Sequence, residues 1–308
     1  MSWKKISLVF LLLIILVYTC FPFYWAIVSA LKKAGTGTFI VEYWPSEPVL
    51  KNFIYVLNRP AFGSTFFNSF LVSTLTVLFC LLIALTASYA LGRIQFKGRT
   101  VLLLGILGTS MFPQVAILSG MFELVRSLGV YNTYQGLIMS YVVFSLPFTV
   151  WILTAFIRDL PIEIEEAAMV DGANSYVILF KVFLPLMWPA MVTTGILAFI
   201  GAWNEFLFAL TLTISPEVTT LPVFMASFRG ESEFEIPWPN IMAASVLVTI
   251  PVLIVVLILL ARRSNGMPRG PGQAMQFGKT KARFAMEAET GVVFDDVAGV
   301  NEAKQDLQ

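Results

Sequence analysis

Histidine is absent from all 308 residues. Its absence removes the commonest metal ligand and the side chain most often used as a general base near neutral pH. Cysteine is almost absent. Cys20 and Cys80 both lie inside apolar runs, where they read as small buried hydrophobes and not as a disulfide or a metal site. Charge is scarce as well. Asp, Glu, Lys and Arg make up 13% of the chain, against about 25% in soluble domains. The signs nearly cancel, at +1, so the charge balance does not call for nucleic acid or another polyanion. A phosphate loop is also missing. The only Gly-Lys-Thr, Gly278-Lys279-Thr280, follows Gly272 with five residues between the two glycines, where a phosphate loop needs four before its Gly-Lys pair. An ATP-driven role for this sequence therefore needs nucleotide chemistry from another chain.

What fills the sequence is apolar surface. Apolar residues make up 57% of it, and mean hydropathy is +0.81. A membrane-spanning helix needs about 20 such residues. Six runs qualify, at 6–30, 66–91, 100–122, 134–157, 186–213 and 241–261. The expected fold is an all-α polytopic membrane protein with six transmembrane helices. The first run follows Lys4 and Lys5 and carries a signal-peptide-like Val28-Ser29-Ala30. It is too long for a usual signal core, and Phe21, Phe23, Tyr24 and Trp25 suit an interfacial belt, so an uncleaved span is the preferred reading. Counting Lys and Arg in alternate loops gives nine on one side (Lys4, Lys5, Arg93, Lys97, Arg99, Arg158, Lys181, Arg262, Arg263) and six on the other (Lys32, Lys33, Lys51, Arg59, Arg126, Arg229). The richer set is expected to be cytoplasmic, with both chain ends and the 158–185 loop.

On the other side, 32–65 and 214–240 are long polar connections that can meet an external partner, and 120–133 reads as a short amphipathic helix at the interface. Several spans carry Ser, Thr and Gly, which is usual at helix contacts in a bilayer. Glu205 differs, because an ionisable group in a span is a functional candidate by default. With Trp203 and Asn204 it is a candidate for lining a solute path.

The densest charge before the C-terminal tail lies in Arg158–Pro185, RDLPIEIEEAAMVDGANSYVILFKVFLP. Its signals predict two short helices with a hinge. Asp159 can accept from free N–H groups, Pro161 suits a first turn, and Glu163, Glu165 and Glu166 sit where a helix dipole favours anions. Gly172 suits a left-handed helix end and Asn174 a second N-cap. Tyr176, Leu179, Phe180 and Phe183 are spaced for one apolar face. With no His and no second acid cluster, these carboxylates are read neither as catalytic groups nor as metal ligands. The small residues Ala167, Ala168, Gly172 and Ala173 permit close approach of a soluble partner, and an ordinary amphipathic connector is the plain alternative.

Glu166-Ala167-Ala168, then three residues, Gly172, then nine residues, and Val182-Phe183-Leu184-Pro185 resembles the EAA loop of ABC-importer permeases. Family members more often have Ile at the position of Val182. Asp171-Gly172-Ala173, Leu221-Pro222-Val223 and the run Phe199 to Phe206 resemble the sugar permeases of the maltose-transporter type. The likeness covers roughly residues 1–260. It implies a type I ABC importer permease fold in which the EAA loop forms cytoplasmic coupling helices, with Glu166, Ala167, Ala168, Asp171, Gly172, Ala173, Tyr176, Phe180, Leu184 and Pro185 in the coupling surface. It also implies two ATP-binding subunits that carry the ATP and Mg, a second permease subunit in a heterodimer, an extracytoplasmic sugar-binding protein, and no cofactor on this chain. The cargo it implies is a di- or oligosaccharide or a related polyol.

The tail departs from that pattern. Residues 1–261 form the expected permease domain and 262–308 a cytoplasmic tail. Gly-Pro-Gly-Gln-Ala-Met, Phe-Gly-Lys-Thr-Lys-Ala-Arg-Phe and Phe294 to Gly299 resemble the juxtamembrane segment and AAA+ start of FtsH-type proteases, without the Walker A loop or zinc site. The composition of 264–280 reads as a flexible linker. Two other functions stay open from sequence: a membrane anchor or adaptor for an AAA+ protease, and a secondary transporter that does not use ATP.

Overall fold

The structure, a computed structural model, describes residues 3–33, 42–228 and 237–264. Every regular element among these residues is helical. Met1–Ile258 forms one compact unit; of the second, Leu259–Gln308, only the end of the last helix, to Ser264, is described. The tail motifs from 265 onward lie outside the described residues, as do Arg229, Glu231, Glu233 and Glu235.

Among the described residues, five helices are long and apolar enough to cross a membrane: Ser7–Ala30 within α1 (Trp3–Ala30), α3 (Pro60–Gly92), α6 (Tyr134–Asp159), Ser175–Trp203 and Trp238–Ile258 within α12 (Trp238–Ser264). Between α1 and α3, α2 (Lys51–Leu57) is held by Asn52, whose amide donates to the carbonyls of Ala30 and Lys32 at 2.7 Å each. The run expected as one span at 100–122 is broken. It forms α4 (Arg99–Thr109) and α5 (Gln114–Ser127), bent by 94°. Pro113 is the reason. It has no N–H to continue the ladder of α4, and its extended backbone (ψ 131°) starts α5 afresh. The amphipathic helix expected at 120–133 is this α5, starting earlier and ending at Ser127. Its end is followed by Gly129 at φ +71°, a left-handed turn suited to glycine.

The run expected at 186–213 is also divided differently. It starts earlier, as α8 (Ser175–Val177), a π-helical turn (Ile178–Phe183) and α9 (Leu184–Trp203), and stops at Trp203. A separate α10 (Leu207–Leu212) follows, then α11 (Leu221–Ala226).

Helices α3, α6 and α9 form the centre of the bundle. At one end, Tyr89, Ile157, Ile178, Phe183 and Met187 are buried together. At the other, Phe62, Trp203, Leu221, Phe224 and Ala243 bring α3, α9, α11 and α12 together. A third cluster, including Val125, Tyr141 and Phe208, seats α5 and α10 on α6. Small residues set the close contacts, as expected of helices in a bilayer. A methyl at Gly195 would touch Leu81 and Val77 of α3 at 3.2 and 3.3 Å, and one at Gly92 would meet Ile157 of α6 at 2.6 Å.

Candidate functional site

Of the two short helices expected at 158–185, only the first is separate; the second is the start of the Ser175–Trp203 span, which runs on through Pro185. α7 (Ile162–Val170) ends at Gly172, φ +82°. There the Ala173 N–H reaches back to the Ala168 carbonyl at 2.9 Å, a bond that closes a helix end only when the intervening residue is left-handed. Asn174 caps the next helix, its Oδ1 accepting from the Val177 N–H at 3.0 Å. The first helix starts differently from expectation. Asp159 is the last residue of α6, and Leu160 and Pro161 are extended, so α7 begins at Ile162 without a side-chain cap. The carboxylate of Asp159 therefore stays with α6.

The expected single apolar face of Tyr176, Leu179, Phe180 and Phe183 is split. Leu179 and Phe183 are buried, and with Met187 and Met191 they form a series at every fourth residue into the core. The wider π turn supports that spacing. Tyr176 stays 76% exposed and Phe180 42%. The outer face of the element therefore carries Glu166, Ala167, Val170, Asp171, Tyr176 and Phe180, all exposed, with Gly172 at its corner and Pro185 beyond. Ala168, Ala173 and Leu184 lean inward against the core.

Glu165, read with Glu163 and Glu166 as an anion at a helix start, is 6% exposed. Its Oε1 accepts from the Tyr89 hydroxyl at 3.0 Å, and its Oε2 lies 3.5 Å from Arg93 Nε. Arg93 Nη2 also donates to the Leu160 carbonyl at 2.6 Å, and its guanidinium sits over the Phe183 ring, 5.3 Å from the centroid. Arg158 answers from α6, donating to the Leu91 carbonyl at 3.0 Å. The segment is thus tied to the end of α3 by charge-assisted bonds.

The second feature is a cleft of about 490 Å³ walled by the α4–α5 bend, α6, the end of α9 and α10. Gln114, Ser145, Thr149, Asn204 and Glu205 supply polar groups to it, and Phe144, Phe148 and Phe206 aromatic ones. Glu205 is fixed there. Its Oε1 accepts from Gln114 Nε2 at 2.7 Å and from the Phe208 N–H at 2.9 Å, and its Oε2 from the Ala209 N–H at 3.0 Å. It caps α10 and at the same time faces the cleft. Asn204 is exposed, with its amide donating to the Ile200 carbonyl. Trp203, expected beside them, is elsewhere. It is 2% exposed, stacks with Phe199 and meets Phe66 edge-on, on the opposite face of α9, because one residue of helix rotates a side chain by about 100°. Gln114, Ser145 and Thr149 were not singled out in the sequence; Gln114 is brought to the cleft by the bend at Pro113, and Ser145 and Thr149 reach it from α6. Among the described residues, no three His, Cys, Asp or Glu side chains come together as a metal site.

Residues 2–265 match the family described as binding-protein-dependent transport system inner membrane component. The chain belongs to that family. As a binding-protein-dependent transport component it is a multi-pass membrane permease, and its role is transport, not covalent catalysis. It is 39% identical over 271 residues to the trehalose/maltose transport system permease protein MalG of Thermococcus litoralis, covering 87% of this chain and 96% of that one. It is 38% identical to the sulfoquinovosyl glycerol transport system permease protein SmoH of Agrobacterium fabrum, covering 83% and 90%. It is 35% identical to the trehalose transport system permease protein SugB of Mycobacterium tuberculosis, covering 82% and 92%. A chain of a bacterial ABC transporter that imports the acidic polysaccharide alginate has the same fold, with a TM-score of 0.71 at 23% identity, covering 85% of this transport component and 98% of that chain.

Proposed function

We infer that the chain is the permease subunit of an ATP-binding-cassette importer that moves a sugar, a di- or oligosaccharide or a related polyol, into the cytoplasm. The observation that carries this reading is an outward-facing EAA segment, clamped to the bundle, in a chain of the binding-protein-dependent family. The names of the relatives, which transport trehalose, maltose and sulfoquinovosyl glycerol, support the substrate class. The partners are an extracytoplasmic sugar-binding protein, two ATP-binding subunits that hold ATP and Mg, and a second permease subunit that pairs with this one as a heterodimer. The end of the bundle that bears Arg93, Arg99 and Arg158 faces the cytoplasm, and so do both termini.

In this reading Glu166, Ala167, Asp171, Tyr176 and Phe180 meet the ATP-binding subunit, with Gly172 as the corner of the lever. Ala168, Ala173 and Leu184 fix its seat on the bundle, and the exposed Pro185 lies with the contact surface. Solute passes along the cleft, where Asn204 and Glu205 offer hydrogen bonds to hydroxyls, and Phe144 and Phe148 offer flat apolar surface to a sugar ring. Residues 1–261 do the transport, and 262–308 form a separate cytoplasmic tail.

Purification from membranes is expected to recover an ATP-binding subunit with the chain, and a disaccharide-binding protein is expected to stimulate uptake. Recovery of the folded chain without any ATP-binding subunit, together with flux that survives ATP depletion, contradicts the proposal and supports a secondary transporter.

A further inference from the structure

We propose that Glu165, Arg93 and Tyr89 form the joint that passes movement of the 158–185 segment to helix α3, as positioning residues for coupling. The inference rests on the reading of that segment as the docking surface, and it concerns the segment's opposite face. α7 has two sides with different jobs. Glu166, Ala167 and Val170 face outward, while Glu165 turns inward and is nearly enclosed. Two groups at the end of α3 hold its carboxylate, the Tyr89 hydroxyl at 3.0 Å and Arg93 Nε at 3.5 Å.

Apolar contact alone would let α7 slide on the bundle, because dispersion and area burial have little directionality. The Tyr89 hydrogen bond is directional and fixes the rotation of the carboxylate, and the Arg93 charge 3.5 Å away holds it in position. Arg93 adds to this. The same guanidinium grips the carbonyl of Leu160, just before α7, and lies over Phe183, on the far side of Gly172. One residue of α3 thus touches both arms of the element on either side of its left-handed corner. A push on the outer face of α7 cannot leave α3 behind unless this contact breaks. Where the Glu165 contact is missing, the segment still docks and ATP is still hydrolysed, but less of the stroke reaches α3.

The test uses the complete importer in proteoliposomes and reads solute moved per ATP hydrolysed, with the amount of co-purified ATP-binding subunit as the assembly control. Three variants are compared with the wild type: Glu165→Gln, Tyr89→Phe, and the apolar pair Arg93→Met with Glu165→Leu. The pair removes both charges and keeps the volume filled, a change that buried ion pairs often tolerate without loss of stability. The expected result is a fall in solute per ATP of about tenfold in Glu165→Gln and in the pair, and of about threefold in Tyr89→Phe, with normal recovery of the ATP-binding subunit. A wild-type ratio in the pair overturns the proposal, because packing alone then suffices. If the pair fails to assemble, Tyr89→Phe decides, and a wild-type ratio there overturns it. A wild-type chain that recovers no ATP-binding subunit contradicts the docking reading instead, so the two failures are distinguishable.

Discussion

Glu165 and Arg93 sit where water is scarce, and energies there are asymmetric. Removing one partner of a buried ion pair costs about 3–5 kcal/mol, because the other charge is left uncompensated. Glu165→Ala is therefore expected to lower the melting temperature of the purified chain in detergent, whereas Glu163→Ala, at an exposed position on the same helix, leaves it unchanged. Asn68 is a second anchor of this kind. Its amide donates to the carbonyls of Glu217 and Thr219 at 2.7 and 2.9 Å, and its Oδ1 accepts from the Tyr134 hydroxyl at 2.8 Å. Truncating it strands buried polar groups at a cost of about 1–3 kcal/mol, so Asn68→Ala should also shift the thermal transition downward. Gly172 differs from both. A side chain there meets no atom within 4 Å, yet φ is +82°, so the penalty of about 1–2 kcal/mol for a left-handed L-residue comes from the backbone alone. Gly172→Leu is expected to insert and fold but to lose uptake relative to ATP hydrolysis; unchanged uptake would remove Gly172 from the lever. The left-handed corner and the Asn174 cap were legible in the sequence because both are local. The Tyr89–Glu165 contact was not, because its partners lie 76 residues apart and a charge run gives no sign of which acid turns inward.

The elements show the same division between local and distant signals. The long apolar runs identified α1, α3, α6 and α12 directly, since length and hydropathy suffice for a span. Hydropathy did not reveal the bend at Pro113, because Met111 and Phe112 beside it are themselves apolar. Nor did it reveal the stop at Trp203. That stop is made by Glu205, whose two oxygens satisfy N–H groups at the start of α10. The acid singled out as an expensive group within a span is a helix cap at its end, in the same place as the cleft. Glu205→Ala is expected to cost about 1–2 kcal/mol in stability through the lost cap and to reduce uptake. Asn204→Ala, whose amide bonds only within its own helix turn, leaves stability near wild type and tests the solute path more cleanly. Normal uptake in Asn204→Ala would take that residue out of the path.

At the scale of the whole molecule, the cleft and the exposed face of 158–185 are separate features, and in the proposed reading one carries the solute and the other accepts work from outside. The sequence shows no phosphate loop, so the proposed reading takes its ATP hydrolysis from partner subunits. Deleting 265–308, the stretch that follows α12, is expected to leave ATP-driven uptake intact. Loss of a bound AAA+ protease on that deletion, with no effect on transport, would give the tail its own role. The most direct test of the central claim is sugar uptake into proteoliposomes that contain the chain with its co-purified subunits, measured with and without ATP. The account predicts disaccharide accumulation that requires ATP and the external binding protein and falls in Gly172→Leu. Accumulation driven by an ion gradient, undiminished without ATP and indifferent to Gly172→Leu, would contradict it.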